Sequence, residues 1–368
     1  MTRGADVAVI GGGQSALAAG YFLKRTGLSF VLLDDQPEPG GAWLHAWPSL
    51  RLFSPAAYNA LPGWPMPAGA SGTPTREEVV AYLRAYEQRY ALPVRRPLSV
   101  LAVERGEDGF RLRDASGGVH GAKAVISATG TWRRPFVPAY PGADAFAGSQ
   151  THSAHYAGPA AYAGRRVLVV GGGNSGAQIL AEVSQVAQTL WVTAQPPRFL
   201  PDDVDGRVLF ERATERWRAQ QQGRDPAPPA GGFGDIVMLP PVRQARARGV
   251  LVSRPPFARF TATGAAWADG THVQFDAVIW CTGFKPALQH LQALGVVDAA
   301  GRVEVDGSRA LAPPGLWLLG YGDWCGIASA TLAGVTRAAR AAVQQVQAFV
   351  DAGGGDADAP VDGVARGR

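Results

Sequence analysis

The feature that most limits the fold is a pattern that occurs twice. Residues 7–10 form a short apolar run ending in Gly11-Gly12-Gly13. Ala16, Leu17, Ala19, Gly20, Phe22 and Leu23 then recur with helical period, Gly27 supplies a stop, and a second apolar run, 30–33, closes at Asp34. Strand, glycine turn, helix, strand is one βαβ unit. The pattern returns with the run 167–170, Gly171-Gly172-Gly173, a helix carrying Ala177, Ile179, Leu180 and Val183, and the run 190–192. The two glycine turns lie 160 residues apart. Two such units predict an α/β chain with doubly wound parallel sheets, that is, two dinucleotide-binding Rossmann-like domains.

Length and composition agree with that reading. The 368 residues suffice for about two domains, and 46% apolar against 18% charged residues excludes global disorder. Thirty-five basic and 30 acidic residues leave a net charge of +5, weak over this length and without the clustered face of a nucleic-acid binder. Only two cysteines occur, Cys281 and Cys325, so a CxxC dithiol relay is excluded, and no metal-ligand spacing is present. No signal-peptide pattern and no apolar stretch of membrane-spanning length appear, which predicts no membrane partner and a cytoplasmic setting. Further helices are expected at 76–90, 208–222 and 329–350, and the Gly/Asp/Ala-rich tail 351–368 reads as disordered.

The first turn reads Gly11-x-Gly13-x-x-Ala16. Gly11 permits the tight turn, Gly13 lets backbone N–H groups approach a pyrophosphate, and Ala16 still allows close helix–strand packing. Asp34, 23 residues after Gly11, stands where a carboxylate accepts hydrogen bonds from a ribose 2′-hydroxyl. The second turn reads Gly171-x-Gly173-Asn174-Ser175-Gly176. Counting 23 residues from Gly171 lands on Ala194, followed by Gln195 and, close behind, Arg198. An acid there would repel a 2′-phosphate and an arginine would pair with it. The second site therefore leaves NADPH, NADH or both open. An acid-bearing first site suits FAD and an acid-free second site suits NAD(P)H. Hydride transfer between them requires the two domains to face each other across a cleft. The expected organisation is an FAD-binding domain from 1–159 and 276–350 with an NAD(P)H-binding domain, 160–275, inserted.

Phe146-x-Gly148-x-x-x-His152-x-x-x-Tyr156, just before the second glycine turn, resembles the fingerprint of the flavin-containing monooxygenases. Gly40-Gly41-Ala42-Trp43 resembles that family's GGxW segment beside FAD. Gly171 to Gly176 resembles its nicotinamide loop, with Asn174 and Ser175 as cofactor-positioning residues. Ala128-Thr129-Gly130 and Cys281-Thr282-Gly283-Phe284 resemble its two inter-domain crossovers, and Gly322-Asp323 its flavin-contacting Gly-Asp pair. The resemblance covers residues 5–345 and is strongest to short bacterial members of the ArsO type.

The resemblance implies FAD and NADPH or NADH as cofactors. It implies a small-molecule substrate and O2 as partners, formation of a flavin C4a-(hydro)peroxide, and oxygenation of a soft nucleophile such as a sulfide or amine. It nominates His152 and Tyr156 as catalytic residues, although a structural or gating role for His152 and simple packing for Tyr156 are equally served by the motif. Gln14, Ser15, Gly41, Ala42, Trp43, Ser54, Val100, Thr129, Thr282 and Asp323 complete the expected cofactor set, with Trp43 stacking near the isoalloxazine or packing in the core. Baeyer–Villiger relatives carry Trp and then Pro or Asp where this chain has Tyr156-Ala157, which favours heteroatom oxygenation over ketone oxidation. An NAD(P)H oxidase or flavin-dependent reductase, and a flavin-loaded redox sensor, are the rival readings. A homodimer is the allowed assembly.

Overall fold

Strand β1 (Ala5–Ile10) divides its side chains between two cores. Val7 and Val9 face one, with helices, while Ala8 and Ile10 face the other, with strands and loops. This period-2 division with both faces covered is the signature of a central parallel strand. The computed structural model describes residues 4–69, 72–224 and 235–354.

β1 pairs in parallel with β2 (Phe30–Leu33) on one side and with β6 (Val119–Ser127) on the other, and β17 (Leu316–Leu318) continues the sheet beyond β6. The edges are finished by β3 (Val94–Arg95), the hairpin β4 (Val100–Gly106) with β5 (Gly109–Asp114), and β15 (Val305–Asp306) with β16 (Arg309–Ala310). Helices α1 (Gln14–Leu23), α2 (Arg76–Arg89) and α6 (Leu332–Asp351) cover one face. Alanine and glycine at positions 16, 18, 19 and 20 are buried and let α1 lie close to α6. Thr75 and Glu78 form a reciprocal capping box that starts α2, and Thr331 accepts the Gly334 N–H at 3.0 Å to start α6.

The second sheet repeats the scheme. β8 (Arg166–Val170) pairs in parallel with β9 (Gln188–Val192) and with β14 (Ala277–Trp280), and β10 (Ser253–Arg254) and β7 (Ser149–His152) form its edges. Val167 and Val169 pack on α3 (Asn174–Val183) and α5 (Pro240–Ala247). Leu168 and Val170 pack on an aromatic layer under the small antiparallel sheet β11 (Arg259–Thr261), β12 (Gly264–Ala266) and β13 (His272–Gln274). Because β7 and β14 are hydrogen-bonded members of this sheet, its strands are drawn from residues 149 to 280. Glycine loops mark where the pattern turns but not where the outer strands of the sheet are drawn in.

The helix expected at 208–222 is α4 (Arg207–Gln221). Of the tail, residues 355–368 lie outside the described residues. Among the described residues no helix is long and apolar enough to cross a membrane.

Candidate functional site

A cavity of about 590 Å³ opens at the C-terminal ends of β1, β2 and β6. The first glycine loop forms its floor. Gly11 has φ +119°, and a Cβ there would meet the Ala128 carbonyl oxygen at 2.5 Å. A Cβ on Gly12 would lie 2.3 Å from the Asp34 carboxylate, and one on Gly41 2.6 Å from the Gly13 Cα. Each glycine thus permits one close approach, to the crossover, to the acid and to the GGxW segment. α1 begins at Gln14 with no side-chain cap, so its first amides and the positive end of its dipole are left for an anionic ligand. Those features fit a dinucleotide pyrophosphate.

Of the residues nominated from sequence, Gly11, Gly13, Gln14, Ser15, Asp34, Gly41, Ala42, Trp43, Val100 and Thr129 line this cavity. Gln14 ties three segments together: its Nε2 donates to the Ala330 carbonyl at 2.8 Å and its Oε1 accepts from Trp43 Nε1 at 2.9 Å. Asp34 is buried, and burial raises its pKa against the opposing pull of Arg96, whose Nε donates to Oδ2 at 3.0 Å. Arg96 also grips Glu87 through two bonds of 2.6 and 2.7 Å. The nominated set did not contain Arg96, Trp132, Phe284 or His290, although the last three line the same cavity. No spacing rule points to them, because each comes from a different segment of the chain.

Four nominated residues take other places. Ala16 is wholly buried at the helix–strand contact. Ser54 is buried against Asn59, whose Nδ2 donates to Ser54 Oγ at 2.9 Å. Thr282 donates its hydroxyl to the Phe136 carbonyl. Asp323 accepts the Ala328 N–H at 2.9 Å, shaping the turn that leads to α6.

The two crossovers form one ribbon. Ala287 N–H donates to Gly130 O at 2.9 Å, Lys285 N–H to Arg134 O at 2.7 Å, and Phe136 N–H to Gly283 O at 2.9 Å. The motifs Ala128-Thr129-Gly130 and Cys281-Thr282-Gly283 therefore run antiparallel and hold the two units in fixed relation.

The second glycine loop repeats the geometry of the first. Gly171 has φ +133°, with a hypothetical Cβ 2.2 Å from the Cys281 carbonyl oxygen, and α3 also starts without a side-chain cap. A Cβ on Gly176 would lie 2.2 Å from Gly171 O, so the helix sits tightly on the turn. Gly173 has open space where its Cβ would be, and Ser175 occupies the first turn of the helix. Asn174 ties the start of α3 to a neighbouring segment: its Nδ2 donates to Asp235 O and its Oδ1 accepts from Val237 N–H, both at 2.9 Å. Arg198 pairs with Asp235 at 3.1 Å, while Gln195 is exposed. The backbone register corrects the count for the acid position. Gly11 N–H bonds Leu33 O and Gly171 N–H bonds Val192 O, so the counterpart of Asp34 is Thr193, one residue before Ala194. A Cβ on Gly172 would touch Thr193 Cβ at 3.2 Å, as Gly12 approaches Asp34.

His152 and Tyr156 are both buried and fully engaged. His152 Nδ1 accepts the Ala154 N–H at 3.1 Å, so the proton sits on Nε2 and is donated to Gly283 O at 3.0 Å. Burial lowers its pKa and keeps it neutral. Tyr156 donates to Glu182 Oε2 at 3.0 Å, and Ser49 donates to the other oxygen of that carboxylate at 2.6 Å. Burial and the adjacent carboxylate push the phenol pKa up. This geometry gives the pair bracing roles between the linker, the crossover and α3, and neither lines the cavity. The thiols are equally quiet: burial pushes Cys281 up to about 12 and raises Cys325.

A family described as pyridine nucleotide-disulphide oxidoreductase matches residues 8–202. The chain is 59% identical to the solved structure of a flavin-containing monooxygenase from Stenotrophomonas maltophilia, with 95% of this chain and 100% of that one covered and a TM-score of 0.88. It is 29% identical to an uncharacterized oxidoreductase CzcO of Bacillus velezensis over 93% of this chain and 99% of the relative. It is 28% identical to the indole-3-pyruvate monooxygenase YUCCA4 of Oryza sativa subsp. japonica, over 75% and 73%.

Proposed function

The chain belongs to the flavin-containing monooxygenase family, with FAD and NAD(P)H as cofactors, and on that premise we propose that it oxygenates a soft nucleophile, a thioether or an amine. The reaction consumes O2, NAD(P)H and a proton, transfers one oxygen atom to the sulfur or nitrogen lone pair, and releases NAD(P)+ and water. The flavin, once reduced by the nicotinamide, supplies the activation of O2.

The protein's own residues do the rest. The loop Gly11-Gly12-Gly13 and the uncapped start of α1 would hold the FAD pyrophosphate, and Asp34, itself held by Arg96, would accept from the adenosine ribose. The loop from Gly171 to Gly176 receives the nicotinamide dinucleotide in the same way. The crossover ribbon joins the two units, and hydride transfer would require them to hold the two cofactors in contact.

The observation that carries the reading is the engagement of His152 and Tyr156, in a chain whose two cysteines are both unpaired, Cys325 buried and Cys281 half-buried. A disulfide reductase needs an accessible dithiol. A substrate that must be deprotonated needs a free base. A thioether or tertiary amine needs neither, because its lone pair attacks directly. The test is turnover of methyl phenyl sulfide and N,N-dimethylaniline with NADPH and with NADH. Sulfoxide or amine oxide should form in step with nicotinamide oxidation. Stoichiometric hydrogen peroxide with neither product would make the protein an oxidase, and ester formation from a ketone in their place would make it a Baeyer–Villiger enzyme.

A further inference from the structure

Four side chains beneath the first cavity form a hydrogen-bonded chain that leaves only one arrangement of protons. Thr129 Oγ1 lies 2.7 Å from the Ala287 carbonyl, which can only accept, so the threonine hydroxyl donates there. Thr129 Oγ1 also lies 2.7 Å from Tyr321 Oη, so the tyrosine must donate to it. Tyr321 has then spent its single proton. Its 2.5 Å contact with Ser127 Oγ requires the serine to donate, and the Thr129 N–H adds a second donation to the phenol oxygen at 3.1 Å. Ser127 has in turn spent its proton, so its 2.9 Å contact with His290 Nε2 requires the imidazole to donate. The Ala287 carbonyl, four hydrogen bonds away, thus dictates that His290 carries its proton on Nε2.

His290 is 5% exposed, and burial lowers its pKa to about 4, so the ring is neutral near pH 7. Its Nδ1 is an acceptor with no protein donor among the described residues. It is also not sealed in: the side-chain polar atoms sealed without a hydrogen-bond partner lie at Trp47, Arg212, Asp235 and Thr336. His290, Thr129 and Ala287 all line the cavity assigned above to FAD.

We propose that His290 is a cofactor-positioning residue whose Nδ1, held as an acceptor by the chain from Ala287 through Thr129, Tyr321 and Ser127, takes a hydrogen bond from a sugar hydroxyl of FAD. The inference rests on the FAD reading of the cavity. FAD carries such hydroxyls on the adenosine ribose and on the ribityl chain. The shared chemistry is a donated O–H, and a phosphate oxygen cannot supply it.

The experiment is titration of the apoprotein with FAD, followed by flavin fluorescence, for wild type, His290→Gln, His290→Phe and Ser127→Ala. A neutral hydrogen bond of this kind is worth about tenfold in affinity. His290→Phe should weaken FAD about tenfold, while His290→Gln, which can donate and accept at once, should stay within about threefold. Ser127→Ala frees the imidazole to take its other tautomer and should weaken FAD by a smaller factor. The same titration with ADP separates the two sources: a parallel loss for ADP assigns the ribose, and a loss confined to FAD assigns the ribityl chain. Apoprotein melting checks folding, and imidazole ¹⁵N shifts of the wild-type apoprotein give a readout independent of any variant. Those shifts should show Nε2–H, with Nδ1 moving as FAD is added. Unchanged FAD affinity in a folded His290→Phe protein, or a proton on Nδ1, overturns the proposal. Failure of the wild-type protein to bind FAD at all overturns the reading beneath it.

Discussion

The two glycine loops of this chain share one backbone logic and differ in the charge beside it. Each follows a buried parallel strand, opens an uncapped helix, and has a middle glycine pressed against the residue that ends the second strand. In the first unit that residue is Asp34, buried and gripped by Arg96; in the second it is Thr193, buried and neutral. On the proposed function the backbone would supply a pyrophosphate site twice, and one side chain would decide what kind of ribose each can accept. A carboxylate receives two sugar hydroxyls but repels a 2′-phosphate; a threonine does neither strongly. The difference is also energetic, since the first unit must keep a buried ion pair matched and the second has none at this position.

The largest effect should come from filling the loops. Gly11→Ala places a Cβ against Ala128 O in a backbone conformation that L residues avoid, and should yield protein without flavin absorbance. Gly171→Ala does the same against Cys281 O, and should leave the protein yellow but slow its anaerobic reduction by NAD(P)H about 100-fold or more. Loss of flavin in both variants would mean the units do not bind independently.

Next is the ion pair. Arg96→Met strands the Asp34 carboxylate and should lower unfolding stability by about 3 kcal/mol or more, with part recovered in the double variant with Asp34→Asn. Denaturant unfolding measures both; equal stabilities would show that Asp34 is solvated and that the contrast with Thr193 carries no energetic weight.

Acid should also act on the first unit. His290 has a folded pKa of about 4 against an ordinary value of 6.5, so the unfolded chain binds the extra proton first. Its stabilising contribution is complete above pH 6.5 and is lost as pH falls from 6.5 toward 4, by at most about 3 kcal/mol. The stability difference between wild type and His290→Gln should therefore shrink across that window, and a constant difference would contradict the burial argument.

The smallest effect should be at the second ribose position. Gln195→Arg brings a charge beside the neutral Thr193 corner and should raise kcat/KM for NADPH relative to NADH by about three- to tenfold. No change in the ratio would place the 2′-position elsewhere.

Much of this was legible in the sequence because glycine loops are local. The turn, the close approaches and the helix start depend on residues within one short segment, so Gly11, Gly13 and Asp34, and Gly171 and Gly173, could be read directly. The crossover motifs were legible as motifs, but their pairing into one ribbon was not. Residues 130–136 and 283–287 lie far apart in the chain and meet only in the folded structure. Asn174, Ser54 and Thr282 were expected at cofactors, and what the sequence did not show is that each also bonds within the protein, to Asp235 and Val237, to Asn59, and to Phe136. A motif states that a polar group is needed and does not state which neighbour will claim it.

The sequence by itself determined that this chain builds two dinucleotide units, that one ends in an acid and that no dithiol exists. Those are properties of residue type and short spacing, fixed by sterics and charge. The tertiary structure decided the partner of Asp34, the occupation of His152 and Tyr156, and the proton on His290. Each depends on groups between 26 and 194 residues distant in the chain or on which side of a hydrogen bond a neighbour can take. Hydrogen bonding is directional and saturable, so a polar side chain's role is settled only once folding has chosen its partners.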